Sequence, residues 1–196
     1  MPSLIFITHP EVAIDPNQPV PEWPLNAVGR GRMEHFAGLL TDRNVSAVYS
    51  STERKAMDGA AIVAERLGLP ARTNADLGEN DRSSTGYIAP PEFWEVVRAF
   101  FCRPHESIRG WERAIDAQTR IVTAVSRIAR EDETSGSIVI VSHGGVGCLL
   151  AAHLQKVEIG QESRPSHPGG GCFIVIDRET LTLQQNWRAI EDGFAS

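Results

Sequence analysis

No apolar stretch in this sequence approaches the roughly 20 residues that a membrane-crossing helix needs. The opening Met1-Pro2-Ser3 carries no basic cluster and leads at once into a short apolar run. Neither a secretory signal peptide nor a membrane anchor is therefore expected, and the expected compartment is the cytoplasm. Cysteine is scarce and odd in number: Cys102, Cys148 and Cys172 form no CxxC or Cys/His ligand pattern. That excludes a disulfide framework and a structural zinc, and reads all three as small core residues. Positive charge is in deficit as well. With a net charge of −6 and a pI near 5.5, the chain advertises no basic face for nucleic acid or an anionic membrane. Any anion must be held by local positive groups. Repeats, low-complexity tracts and linkers are missing too, and 196 residues suffice for one well-cored domain but hardly for two. A single domain over residues 1–196 is expected.

What is present is a set of buried-type strands alternating with amphipathic helices. Leu4-Ile5-Phe6-Ile7 has no polar alternation and reads as a strand covered on both faces, followed by Thr8-His9-Pro10-Glu11. Ser137 to Ser142 is a second such strand, running straight into His143-Gly144-Gly145. An open parallel sheet places its ligand crevice beyond the carboxyl ends of the strands, so two strands each deliver a histidine to that edge. Between them, Pro16, Pro19, Pro21 and Pro24 forbid helix and ladder and predict a loop over the site. Asn26 then caps a helix with Met33, Phe36 and Leu40 on one face. A short strand, Ala47 to Ser50, precedes a helix capped by Ser51 or Thr52, with Ala56, Ala60, Val63 and Leu67 on its stripe, stopped by Gly68 and Pro70. This rhythm predicts an α/β fold, a three-layer sandwich with helices on both faces of a mostly parallel central sheet.

Residues 74–110 break the rhythm. The polar, turn-rich stretch from Asn74 to Gly86 reads as the start of a small cap insertion. Pro91 to Phe101 concentrates Phe93, Trp94, Val97, Phe100 and Phe101, which suits a lid over the crevice and core packing equally. A long helix from about Trp111 to Arg130, a helix from Gly144 to about Leu154, and an antiparallel edge hairpin turning at Asp177 to Thr180 complete the chain.

A neutral imidazole is a good nucleophile toward phosphorus, a second donor can hold charge developing on the phosphoryl oxygens, and a carboxylic acid can protonate the leaving oxygen. His9, His143 and either Glu79 or Asp81 fit those roles, provided that the polar insertion folds back over the strand ends. His35, His105, His153 and His167 lack such placement and read as surface or structural residues. Gly144-Gly145-Val146-Gly147 lacks the GxGxxG spacing of a dinucleotide loop.

These residues carry a family resemblance. The chain resembles the histidine phosphatase superfamily, the phosphoglycerate mutase-like family, over nearly its whole length. Thr8-His9-Pro10-Glu11 stands at the Arg-His-Gly-Glu signature, and Pro24-Leu25-Asn26-Ala27-Val28-Gly29 resembles Pro-Leu-Thr-x-x-Gly. Ser50 to Ala56 resembles Ser-Ser-x-x-x-Arg-Ala. Leu77-Gly78-Glu79 is similar to the Leu-x-Glu acid motif, Gly110-Trp111-Glu112 to a Gly-Glu-Ser helix start, and Val141 to Gly145 to the second histidine motif. The resemblance implies a phosphoglycerate mutase-like fold, His9 as the phosphorylated nucleophile, Glu79 as proton donor and His143 as the second phosphate-pocket histidine. It implies phosphate-binding positions at Thr8, Lys55, Asp15 and Gly144. The signature arginine is Thr8 here and the second arginine is Lys55, and neither a hydroxyl nor an ammonium replaces a guanidinium fork. Arg54 and Arg82 are the candidates to compensate. The expected activity is metal-independent hydrolysis of a small phosphomonoester, without a cofactor, ahead of mutase activity. The alternative is a weakened phosphatase fold that binds a phosphorylated or other anionic ligand. No nucleic-acid or membrane partner is expected, and the reading allows a homodimer.

Overall fold

The computed structural model describes residues 2–165, 167 and 169–195. Six strands form one sheet, β1 (Ser3–Thr8), β2 (Val45–Ser50), β3 (Ala71–Thr73), β4 (Ser137–Ser142), β5 (Cys172–Asp177) and β6 (Leu183–Ala189), in the order β3-β2-β4-β1-β5-β6. The pairs β1–β4, β2–β4 and β2–β3 are parallel, while β5 runs antiparallel to both β1 and β6. Five α-helices flank the sheet: α1 (Ala27–Leu39), α2 (Arg54–Leu67), α3 (Glu92–Cys102), α4 (Ala114–Glu131) and α5 (Gly144–Gln155). This is the three-layer α/β architecture expected from the alternation of elements.

The layers follow from the period of two along each strand. Leu4 and Phe6 of β1 join Ile138, Ile140, Ile174 and Ile176 in a core with α3, α4 and α5. Ile5 and Ile7 point the other way, with Val139, Val141 and Phe173, against α1 and α2. The central strands are apolar on both faces because both faces are covered. Losing one of the fully buried aromatic rings, such as Phe6 or Phe36, would cost about 3–5 kcal/mol.

Helix α1 starts as anticipated, with the Asn26 side chain accepting a hydrogen bond from the Gly29 amide at 2.9 Å. Gly29 is required there. A Cβ at that position would fall 2.2 Å from the Glu11 carbonyl oxygen, the same oxygen that accepts the Asn26 amide at 3.0 Å. The loop after β1 is thereby fastened to the first turn of α1. Helix α2 ends in a left-handed Gly68, whose glycine tolerates that conformation without Cβ strain.

Four local expectations change. The N-cap of α2 is Glu53 with no side-chain cap bond, because the Ser51 hydroxyl is turned inward to His143. Strand β3 has three exposed residues and so left no hydrophobic signature. Helix α4 starts three residues later than expected, since the Trp111 indole is tied to Thr85 Oγ1 at 2.8 Å and the chain stays extended through Arg113. Cys102 is exposed at the end of α3, whereas Cys148 and Cys172 are buried. As for α3, Val96, Val97, Phe100 and Phe101 are buried in the core shared with α4 and α5. Its outer residues Phe93 and Trp94 line the cavity described next, so the helix serves both purposes.

Candidate active site

Parallel pairing of β1 and β4 puts Thr8 opposite Ser142, so the next residue of each strand, His9 and His143, emerges side by side. Their ring centroids are 5.2 Å apart at an interplanar angle of 70°. The His9 amide donates to the Ser142 carbonyl at 2.9 Å. His9 Nδ1 lies 2.9 Å from the Pro10 carbonyl oxygen, and a carbonyl only accepts, so Nδ1 carries the proton and Nε2 keeps its lone pair. Burial, with the nearby His143 and Lys55 charges, lowers the His9 pKa to about 3. The imidazole is therefore neutral across the physiological range, the form a nucleophile needs.

His143 is fully buried. Its Nε2 lies 2.7 Å from Ser51 Oγ and 3.3 Å from Glu53 Oε1, while Nδ1 is buried without a protein partner among the described residues. Burial pulls its pKa down, against the raising influence of Glu53 and Glu79. Burial alone would push Glu53 up, but the charges of His143 and Lys55 prevail and hold it at about 2. The Glu53 carboxylate also meets Lys55 Nζ at 2.5 Å and accepts the Glu79 amide at 2.9 Å.

Glu79 caps α5. Its two carboxylate oxygens accept the Gly145 and Val146 amides at 3.0 and 2.9 Å, where the helix dipole favours negative charge. A Cβ on residue 145 would lie 2.5 Å from Glu79 Oε1, so the second glycine of His-Gly-Gly is what lets the carboxylate approach. Burial favours the protonated form, yet Arg82, His143 and the Gly145 amide outweigh it and hold Glu79 below the usual carboxylate range. The loop carrying Glu79 is held over the strand ends from two sides. Ser142 Oγ donates to the Leu77 carbonyl at 2.7 Å, and the Arg120 guanidinium donates to the carbonyls of Asp76, Gly78 and Glu79 at 2.9, 2.9 and 3.2 Å.

These groups face a cavity of about 700 Å³. Of the residues singled out in the sequence, Thr8, His9, Glu79, Arg82 and Gly144 line it, and His143, outside the lining, packs edge-on against His9. Asp81, the second acid considered, is exposed and outside the lining, its carboxylate taking the Ser83 amide at 2.8 Å. The Thr8 hydroxyl is engaged with β5: it accepts the Cys172 amide at 3.1 Å and donates to the Cys172 carbonyl at 3.3 Å. Lys55 is buried and absent from the lining, its ammonium occupied by Glu53 and by the Val20 carbonyl at 2.8 Å. Arg54 pairs with Asp58 at 2.9 Å, and Asp15 binds the Asn17 amide at 3.0 Å, both away from the cavity.

The lining also includes residues the sequence did not single out: Asn80, Arg164 and His167. His167 reads in the sequence as a surface or structural histidine because it follows no strand; it arrives on the loop between α5 and β5, whose path only the fold decides. Arg82 lies 5.5 Å from the ring centres of both Phe93 and Trp111, and Arg164 lies 5.2 Å from that of Trp94, within cation–π range. A cationic and aromatic wall thus faces a neutral imidazole whose free nitrogen can accept an electrophilic group, with a carboxyl group close by to move a proton.

Residues 4–185 match the family model described as "Histidine phosphatase superfamily (branch 1)", and the chain belongs to that superfamily. An uncharacterized Mycobacterium tuberculosis protein, Rv0525, is 30% identical over 127 residues, 63% of this chain and 62% of that protein. The chain thus spans less than two thirds of that relative's length. Among solved structures, Bacillus stearothermophilus YhfR has a TM-score of 0.79 at 22% identity over 94% of this chain and 95% of that one. Mycobacterial glucosyl-3-phosphoglycerate phosphatase has a TM-score of 0.73 at 22% identity, over 96% and 99%. At such identity these likenesses establish the phosphoglycerate mutase-like fold.

Proposed function

We propose that this protein is a phosphatase that hydrolyses a small phosphomonoester through a phosphohistidine on His9. The observation that carries the reading is the 2.9 Å bond from His9 Nδ1 to the Pro10 carbonyl, which leaves the Nε2 lone pair as the only nucleophilic electron pair on the ring. Nε2 attacks phosphorus, the bond from phosphorus to the ester oxygen breaks, and the departing oxygen takes a proton from Glu79. Water then attacks the phosphohistidine, returns a proton to Glu79 and releases inorganic phosphate. A bound phosphoryl dianion beside Glu79 opposes the charges that keep it ionised in the free enzyme, which raises its pKa toward that of a usable acid. His143, its Nε2 engaged by Ser51 and the Glu53 carboxylate, donates from Nδ1 to a phosphoryl oxygen only as the imidazolium, the form that the neighbouring Glu53 and Glu79 charges favour.

Arg82 is the guanidinium we assign to the phosphoryl group. It lines the cavity, acts electrostatically on both Glu79 and His143, and has no ion pair among the described residues. The apolar wall of Phe93, Trp94, Val97 and Trp111 suits a substrate with an apolar body. Trp94 is 46% exposed and Ile14 60% exposed although both line the cavity, and such an open mouth favours hydrolysis over phosphomutase chemistry, in which the phosphohistidine is kept from water. A second reading, a binding protein that holds a phosphorylated ligand without turning it over, is favoured by one observation: Thr8 and Lys55 both spend their polar groups on the protein itself.

Rapid mixing with a phosphomonoester separates the two readings. An acid-labile, base-stable phosphoprotein, absent in His9→Ala, is expected. Turnover without that intermediate, or binding of the ester without either, would overturn the phosphatase assignment.

A further inference from the structure

We infer that the side-chain amide of Asn80 is a binding group for the transferring phosphoryl oxygens, supplying with Arg82 the hydrogen bonds that the signature position, Thr8, does not make. The inference rests on the reading of the cavity as a phosphoryl site. Asn80 is only 6% exposed, lines the same cavity as His9 and Gly144, and its Nδ2 is buried without a hydrogen-bond partner among the described residues. Buried donors are nearly always paired in folded proteins, and an unpaired one costs about 1–3 kcal/mol. Near the two catalytic strand ends, the orphaned side-chain nitrogens are Asn80 Nδ2 and His143 Nδ1. An acceptor-rich ligand entering beside His9 would give Asn80 Nδ2 the partner it lacks.

The backbone of Asn80 is held in place for such a role. Its amide donates to Glu79 Oε1 at 3.2 Å, that carboxylate is fixed to the start of α5, and the preceding carbonyl is held by Arg120 at 3.2 Å. The backbone that carries the side-chain amide is thus fixed before any ligand arrives, which limits the ordering lost on binding.

A neutral donor also suits the position. A second guanidinium next to Glu79 would pair with it and stabilise its carboxylate form, which works against proton donation. An amide can hold a phosphoryl oxygen without that electrostatic consequence. Arg82, resting on Phe93 and Trp111, then provides the positive charge.

The test uses inorganic phosphate as the probe, with its dissociation constant measured calorimetrically so that no turnover is needed. Asn80→Ala is expected to weaken phosphate about tenfold at neutral pH and Asn80→Asp by more, because a carboxylate there repels the anion. As pH falls through about 4, the ordinary range of an aspartate carboxyl, Asn80→Asp should recover relative to Asn80→Ala at the same pH, since a protonated carboxyl regains a donor. A residue that only supports the fold would show no such recovery. Unchanged phosphate affinity in both variants, with melting curves like wild type, would overturn the inference. So would equal weakening in both with no pH-dependent divergence. Trapping phosphohistidine in the wild type reports separately on the catalytic reading. Phosphate binding that depends on Asn80 without a phosphoenzyme would leave the binding role standing and remove the catalytic one.

Discussion

The Lys55 ammonium sits 2.5 Å from the Glu53 carboxylate and 2.8 Å from the Val20 carbonyl, with only 3% of the residue exposed. A cation at the second signature position is therefore invested in the wall behind the two histidines. In Glu53→Gln that ammonium stays buried without its counter-charge, and breaking a buried pair from one side costs about 3–5 kcal/mol. Urea unfolding of Glu53→Gln should show a loss of that size, and Glu53→Gln with Lys55→Met should recover most of it. A single variant within about 1 kcal/mol of wild type would show that the pair is solvated instead.

Thr8 joins β1 to β5. Thr8→Val keeps the shape but leaves the Cys172 amide and carbonyl unpaired, for an expected loss of about 1–3 kcal/mol. Because the hydroxyl is committed to the backbone, kcat/KM for a phosphomonoester should change by no more than about threefold. A drop of two orders of magnitude with a native melting temperature would put the hydroxyl on the substrate.

The His9 pKa, lowered from 6.5 to about 3, has two consequences of known sign. His9 is already neutral above that value, so with His9 as the proposed nucleophile the phosphoenzyme burst amplitude should stay level from about pH 8 to about pH 5. Between about 3 and 6.5 the unfolded chain binds a proton at this residue that the folded chain does not, so stability falls as pH drops through that window. His9→Gln should flatten the slope of unfolding free energy against pH there, and an unchanged slope would mean that His9 is not buried neutral.

The proton-donor role of Glu79 is tested by the leaving group. Glu79→Gln should slow an alkyl phosphate by about 10²–10⁴-fold and a nitrophenyl phosphate far less, because only the first needs a proton. Equal slowing of both would remove Glu79 from the donor role.

Arg120 touches the loop backbone at three carbonyls and pairs with Glu112 at 2.7 Å. These bonds hold the loop that carries Glu79, and a positioning role is the expected consequence. Arg120→Lys cannot span those acceptors with one ammonium, so kcat should fall with KM nearly constant, and more for the alkyl ester than for the nitrophenyl ester. A change confined to KM, or identical for both esters, would count against positioning.

Much of this molecule follows from short-range pattern. The unbroken apolar runs of β1 and β4 specify strands buried on both faces, and the parallel register that such strands adopt places the residues after them, His9 and His143, next to one another. Asn26, Gly29 and the Met33–Phe36–Leu40 stripe likewise set α1 by local geometry. The α/β order, the sheet edge that carries the candidate site and the two histidines on it were thus legible in the sequence. Tertiary structure alone decided where the polar atoms point. Thr8 and Lys55 occupy signature positions, but a hydroxyl bonds whichever backbone it meets, and a buried ammonium takes the nearest carboxylate. Those partners, Cys172 and Glu53, come from the folded arrangement rather than from the pattern around either residue. Asn80, Arg82 and Arg164 reach the cavity through loops with no hydrophobic period to forecast their path. Their arrival depends on long-range bonds, such as those of Arg120 and Ser142, that exist only once the sheet has formed.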